Sequence, residues 1–92
     1  MEVIFVDYLE KIKEEFNYSL SMYIRALSQI GGRELSTSVN DLYKTMDKIN
    51  KYTDIYLDKI TEIRKIVISI KHKKLNKESY KEELEVLKSV KL

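Results

Sequence analysis

Ninety-two residues allow one domain, 1–92, and a chain this short buries only about 60–65% of the surface its unfolded form exposes. Charged residues make up 35% of the chain with a net charge of only +2, the mixture that exposed helix faces carry, and the absence of cysteine removes disulfides, thiol nucleophiles and cysteine-based metal sites. The apolar run at residues 3–6 is too short for a signal-peptide core and lacks a basic flank, and no run approaches the ~20 apolar residues that span a bilayer. The expected location is cytoplasmic, with no membrane partner.

In chain order, the first element is a helix over residues 2–30. Phe5, Leu9, Ile12, Phe16, Leu20, Ile24, Leu27 and Ile30 recur every third or fourth residue, which draws one apolar stripe down a helix. Glu10 and Lys13 are spaced to pair on the outer face. Gly31-Gly32, the only glycines, are the expected stop, because glycine takes the left-handed conformation that closes a helix. Ser36, Thr37 and Ser38 are candidate caps for the second helix, with Asp41 three residues after Ser38.

The stretch from Leu35 to Ile70 carries the clearest signal. Leu35, Val39, Leu42, Met46, Ile49, Thr53, Tyr56, Ile60, Ile63, Val67 and Ile70 hold a 3-4 spacing with Thr53 the one polar member, a coiled-coil-like seam. With no glycine or proline after Gly32, the stripe predicts a single long helix to about residue 72, on the order of 50 Å at 1.5 Å per residue. Asn50–Asp54, poor helix formers, is the one place where it would break. Beyond Tyr52 the stripe widens to include Tyr52, Ile55, Leu57, Ile66 and Ile68, so that region is expected to be covered from two sides. Lys71-His72-Lys73-Lys74 ends the helix with cations, and Asn76 is the expected N-cap of a last helix over residues 77–90. The resulting expectation is an all-α fold: an antiparallel helical hairpin plus a shorter third helix, a three-helix bundle with one long central helix, loosely packed at the Gly-Gly end.

Little in the sequence carries chemistry. His72 is the only histidine and has no carboxylate or cysteine within three residues to orient it. Asp54, Asp58 and Glu62 form an acidic row without the Glu-x-x-His motif of bundle metal sites. The expectation is therefore no enzyme, no catalytic residue, no cofactor, no metal and no small-molecule substrate. Charge is lopsided: residues 1–35 hold six carboxylates and four cations, net −2, whereas 71–92 hold seven cations and four carboxylates, net +3. No acid lies between Glu62 and Glu78, and Arg64, Lys65, Lys71, Lys73, Lys74 and Lys77 fill that gap. A patch of this kind tracks phosphates in a salt-dependent way, but no zinc-finger or base-reading motif accompanies it.

Arg64-Lys65-Ile66-Val67, Leu75-Asn76-Lys77-Glu78, Leu84 and Leu87 together resemble part of the helical domain of GINS replication subunits. The resemblance covers under a third of the chain and consists of common helix-stop and helix-start residues, so no residue role is carried over from it.

The leading expectation is a non-enzymatic helical interaction module: an accessory subunit, an inhibitor, or a self-assembling bundle such as a homodimer. Its partner would be another protein or a second copy, met through Arg25, Tyr43, Tyr52, Ile66 and Ile68. The alternative is a nucleic-acid-associated accessory protein, such as a replication factor subunit, using the basic patch at residues 64–77.

Overall fold

The computed structural model describes the backbone of residues 2–28 and 32–92 and the side chains of 8–28 and 34–92. Four α-helices follow one another: α1 (Glu2–Leu27), α2 (Gly32–Tyr52), α3 (Leu57–Leu75) and α4 (Lys81–Ser89), with no strand among the described residues. The all-α expectation holds. The three-helix bundle with one long central helix does not, because the expected rod is two helices.

The break falls in the run of poor helix formers. The Thr53 N–H still bonds the Ile49 carbonyl at 2.9 Å, closing the last turn of α2. Its hydroxyl oxygen then accepts the Ile55 N–H at 3.3 Å, and the Leu57 N–H bonds the Asp54 carbonyl at 3.2 Å. Threonine thus offers the backbone a local alternative to the helical ladder. The four residues from Thr53 to Tyr56 span about one helical repeat. The apolar stripe therefore keeps its phase across a reversal, and periodicity alone does not separate a rod from a hairpin.

Side-chain contacts fix the topology. Lys48 on α2 bonds Glu15 on α1 at 3.0 Å, and the rings of Tyr8 and Tyr52 meet edge to face at 4.8 Å, so α1 and α2 are antiparallel. Arg64 on α3 pairs with Asp47 on α2, so α3 runs back along α2. Glu83 on α4 receives both the Ser69 hydroxyl, at 3.0 Å, and the Lys73 ammonium of α3. At the far side, Tyr80 lies by the Leu27 carbonyl and the Leu92 N–H reaches Asn17 at 3.3 Å, so α4 descends beside α1. The arrangement is an up-down-up-down bundle, 50 × 23 × 19 Å, in which α1 and α2 make the closest backbone approach.

The stripes meet inside. α1 contributes Ile12, Phe16, Leu20, Tyr23 and Leu27; α2 contributes Leu42, Met46 and Ile49; α3 contributes Ile60, Ile63, Val67 and Ile70; α4 contributes Leu87. Each fully buried aliphatic or aromatic side chain is worth about 1.5–3 kcal/mol. The widened stripe is covered only in part: Tyr52 and Ile66 pack against the core of the same chain, whereas Ile55, Leu57 and Ile68 are exposed, contrary to the expected cover from two sides.

Several boundaries differ from the expectation. α1 ends at Leu27, with the Ser28 hydroxyl on the Arg25 carbonyl at 2.7 Å; the expected continuation through Ile30 to a stop at Gly31 lies outside the described residues. Ser36, Thr37 and Ser38 are not caps, because α2 has already begun at Gly32. Asn76 is the C-cap of α3 rather than the N-cap of α4. There the Glu78 N–H bonds the Lys73 carbonyl at 2.7 Å and the Lys77 N–H bonds the Lys74 carbonyl at 3.2 Å, the paired bonds of a Schellman stop. Lys77 occupies its left-handed position at φ 59°. α4 then starts at Lys81, and because α3 has doubled back, α4 begins at the Gly-Gly end instead of failing to reach it. The expected meeting of the last helix with the 3–6 apolar run concerns side chains outside those described.

Neither α3 nor α4 has a side-chain N-cap bond; Asp58 in one first turn, and Glu82 and Glu83 in the other, supply negative charge to the helix starts instead.

Candidate functional site

Folding α3 back along α2 brings residues 67–75 alongside residues 35–43. Ile60, Ile63, Val67 and Ile70 of α3 are buried, and Leu42, Met46 and Ile49 of α2 are buried, but Leu35 and Val39 are only half-buried. The two helices do not close over one another at this end. Between them, floored by Tyr23 and Leu27 of α1, lies a groove of about 720 Å³. Its walls are Leu35, Ser36, Val39, Asn40 and Tyr43 on one side and Val67, Ile68, Ile70, Lys71, His72, Lys74 and Leu75 on the other.

Ile68 and Leu75 lie seven residues apart, about two helical turns, so they project along one edge of α3; they are 50% and 72% exposed. Large apolar side chains this open to water, beside an unfilled apolar channel, mark a surface suited to an interaction. The groove contains no carboxylate, and its cations are Lys71 and Lys74, neither of which makes an ion pair among the described residues.

At the floor sits Tyr23, 2% exposed. Burial pushes its hydroxyl well above the usual tyrosine range, and the nearby Tyr43 and Tyr80 hydroxyls add to the effect. The phenol is therefore neutral.

The structure places the expected interface residues in different settings. Ile68 edges the groove, and Tyr43 forms part of its α2 wall. Ile66 is half-buried against the core, and Tyr52 packs on it and on Tyr8. Arg25 lies on the opposite side of α2, in a polar depression with Tyr18, Glu34 and Asp41. They do not form one surface. The basic residues are equally divided. Arg64 is held by Asp47 and Tyr43, Lys65 by Glu62 at 3.6 Å, and Lys73 by Glu83. Lys71, Lys74 and Lys77 remain exposed at the end of α3.

Spacing along the chain marks Tyr23 only as a core-edge residue and gives no direct sign of the groove. The available signal was the weak helix at Asn50–Asp54: a reversal there sets Leu35 and Val39 opposite Ile68 and Leu75.

Asp54, Asp58 and Glu62 are exposed, with Asp54 in the turn and the other two on α3, and no group of three His, Cys, Asp or Glu among the described residues is placed to hold a metal. No described helix is long and apolar enough to cross a membrane. No family model matches the chain, and no curated protein or solved structure is similar to it.

Proposed function

We propose that this chain is a non-enzymatic helical interaction module that binds another protein through the groove between α2 and α3. The observation that carries this reading is the groove itself: an apolar channel, open along one side, with Ile68 and Leu75 standing exposed on its edge. Folded chains gain by covering such a surface, and association removes it from water.

The test uses Ile68→Asp and Leu75→Asp together, at positions exposed enough for the fold to tolerate them. Thermal unfolding checks that the variant still folds. Affinity capture from the native host then compares it with the unaltered protein. A protein retained by the unaltered chain and lost by the folded variant supports the reading; identical retention by both removes the groove from it.

Lys71, Lys74 and Lys77, clustered and free of ion pairs among the described residues, favour a second reading in which a nucleic acid backbone is the ligand. Binding in a gel shift that weakens as salt rises, and that is lost in the triple Gln variant, supports that reading; its absence at low salt discards it.

A further inference from the structure

We infer that the occupant of the α2–α3 groove is an acidic amphipathic helix from a different protein. This rests on the docking role just proposed and adds the chemistry of the partner. The walls at residues 35–43 and 67–75 each run about 12 Å at 1.5 Å per residue, the length of two to three helical turns. The channel admits the apolar side of such a helix, read as residues at i, i+3 or i+4, and i+7.

Charge selects the sign of the flanks. Elsewhere on α3 three of the four cations are matched: Arg64 with Asp47, Lys65 with Glu62, Lys73 with Glu83. At the groove Lys71 and Lys74 make no ion pair among the described residues, and no acid lies in the lining. Opposed potentials across an interface set partner choice and register, and a basic flank meets like charge here.

A second copy of this chain is a poor complement. The outward face of α4 has Glu82 and Glu85 but only Val86 as a large apolar residue. The exposed face of α1 at Tyr18 and Met22 carries Arg25, and that of α2 alternates Asp41, Lys44, Asp47 and Lys48. The exposed acids Asp54, Asp58 and Glu62 flank only Ile55, in the turn, and Leu57, so none of these faces sets a two-turn apolar stripe beside an acidic flank.

Two synthetic helical peptides decide the matter, with the same Leu positions, one flanked by Glu and the other by Lys. Each is labelled and titrated with the full chain by fluorescence anisotropy. The Glu peptide is expected to bind about ten-fold tighter, the ratio that ~1.4 kcal/mol produces. Lys71→Gln with Lys74→Gln is expected to erase most of that difference, and Ile68→Asp with Leu75→Asp to abolish binding of both. Equal binding of the two peptides overturns the acidic partner and leaves groove docking standing. Binding of neither, with a dimer in sedimentation that Ile68→Asp and Leu75→Asp dissociate, overturns it in favour of a second copy. Binding of neither by a monomer overturns both.

Discussion

The Arg64 guanidinium lies 5.4 Å from the centre of the Tyr43 ring, so the cation of α3 roofs an aromatic of α2 while its outer edge reaches Asp47. This contact ties together two helices whose backbones stand apart. The Arg64 side chain is 36% exposed, so solvent screens the ion pair, and the ring contact adds about 0.5–1 kcal/mol to a pair worth about 0.2–1. Arg64→Met, which keeps the apolar stem, is expected to cost about 1 kcal/mol and to lower Tm by roughly 4–8 °C for a domain of this size. Arg64→Lys should fall between the two, because an ammonium lacks the planar face. Scanning calorimetry measures both.

Burial sets the next expectation. Phe16 is fully enclosed where the stripes converge, and Phe16→Ala should cost about 3–5 kcal/mol. A domain with about 5–15 kcal/mol in total becomes marginal after such a loss. Ile55, 74% exposed in the α2–α3 turn, should change stability by less than about 0.5 kcal/mol when replaced by Ala. Urea titration separates the two, and a large effect at Ile55 would show that the turn is covered in solution.

Lys77 holds a left-handed backbone that costs a side-chain-bearing residue about 1–2 kcal/mol and glycine almost nothing. Glycine loses more freedom on folding, so Lys77→Gly should stabilise by a net of about 0.5–1 kcal/mol. Lys77→Val should destabilise by at least as much. Chemical denaturation of the three proteins gives the order Gly, Lys, Val.

Acid sensitivity should trace to Glu83. The hydrogen bond from Lys73, its own backbone N–H and the Ser69 hydroxyl hold its carboxyl below the ordinary 4.5. In the unfolded chain the group takes up a proton at higher pH than in the folded one. Its contribution is therefore complete above pH 4.5 and disappears as pH falls through the lower, folded value. Urea midpoints at pH 7, 4 and 3 should show the gap between the unaltered protein and Glu83→Gln narrowing with acid. A gap of constant size would assign the effect to packing.

Where an apolar stripe meets one consistent environment, the sequence was easy to read. Ile60, Ile63, Val67 and Ile70 keep the spacing expected of a core face, and all four are buried. The same is true of Ile12, Phe16 and Leu20. The reversal at Thr53 was hidden because a turn of one helical repeat leaves the stripe undisturbed. Asn76 misled for a different reason: asparagine serves both ends of a helix, and its neighbour Lys77 is not a residue that advertises a left-handed position. Most of the candidate groove was illegible because it is a property of two segments about thirty residues apart, Leu35–Tyr43 and Val67–Leu75, placed together only by that unseen reversal. Lys71 and Lys74 were visible as charge, but nothing in the linear order set them beside Leu35 and Val39.

The close backbone approach of α1 and α2, against the looser seating of α3 and α4, implies that the two hairpins do not open together. Amide deuteration should label α3 and α4 through partial detachment, while the amides of α1 and α2 exchange only when the whole molecule opens. A partner lodged between α2 and α3 would then act as a rivet, slowing isotope uptake in the half of the protein that breathes first.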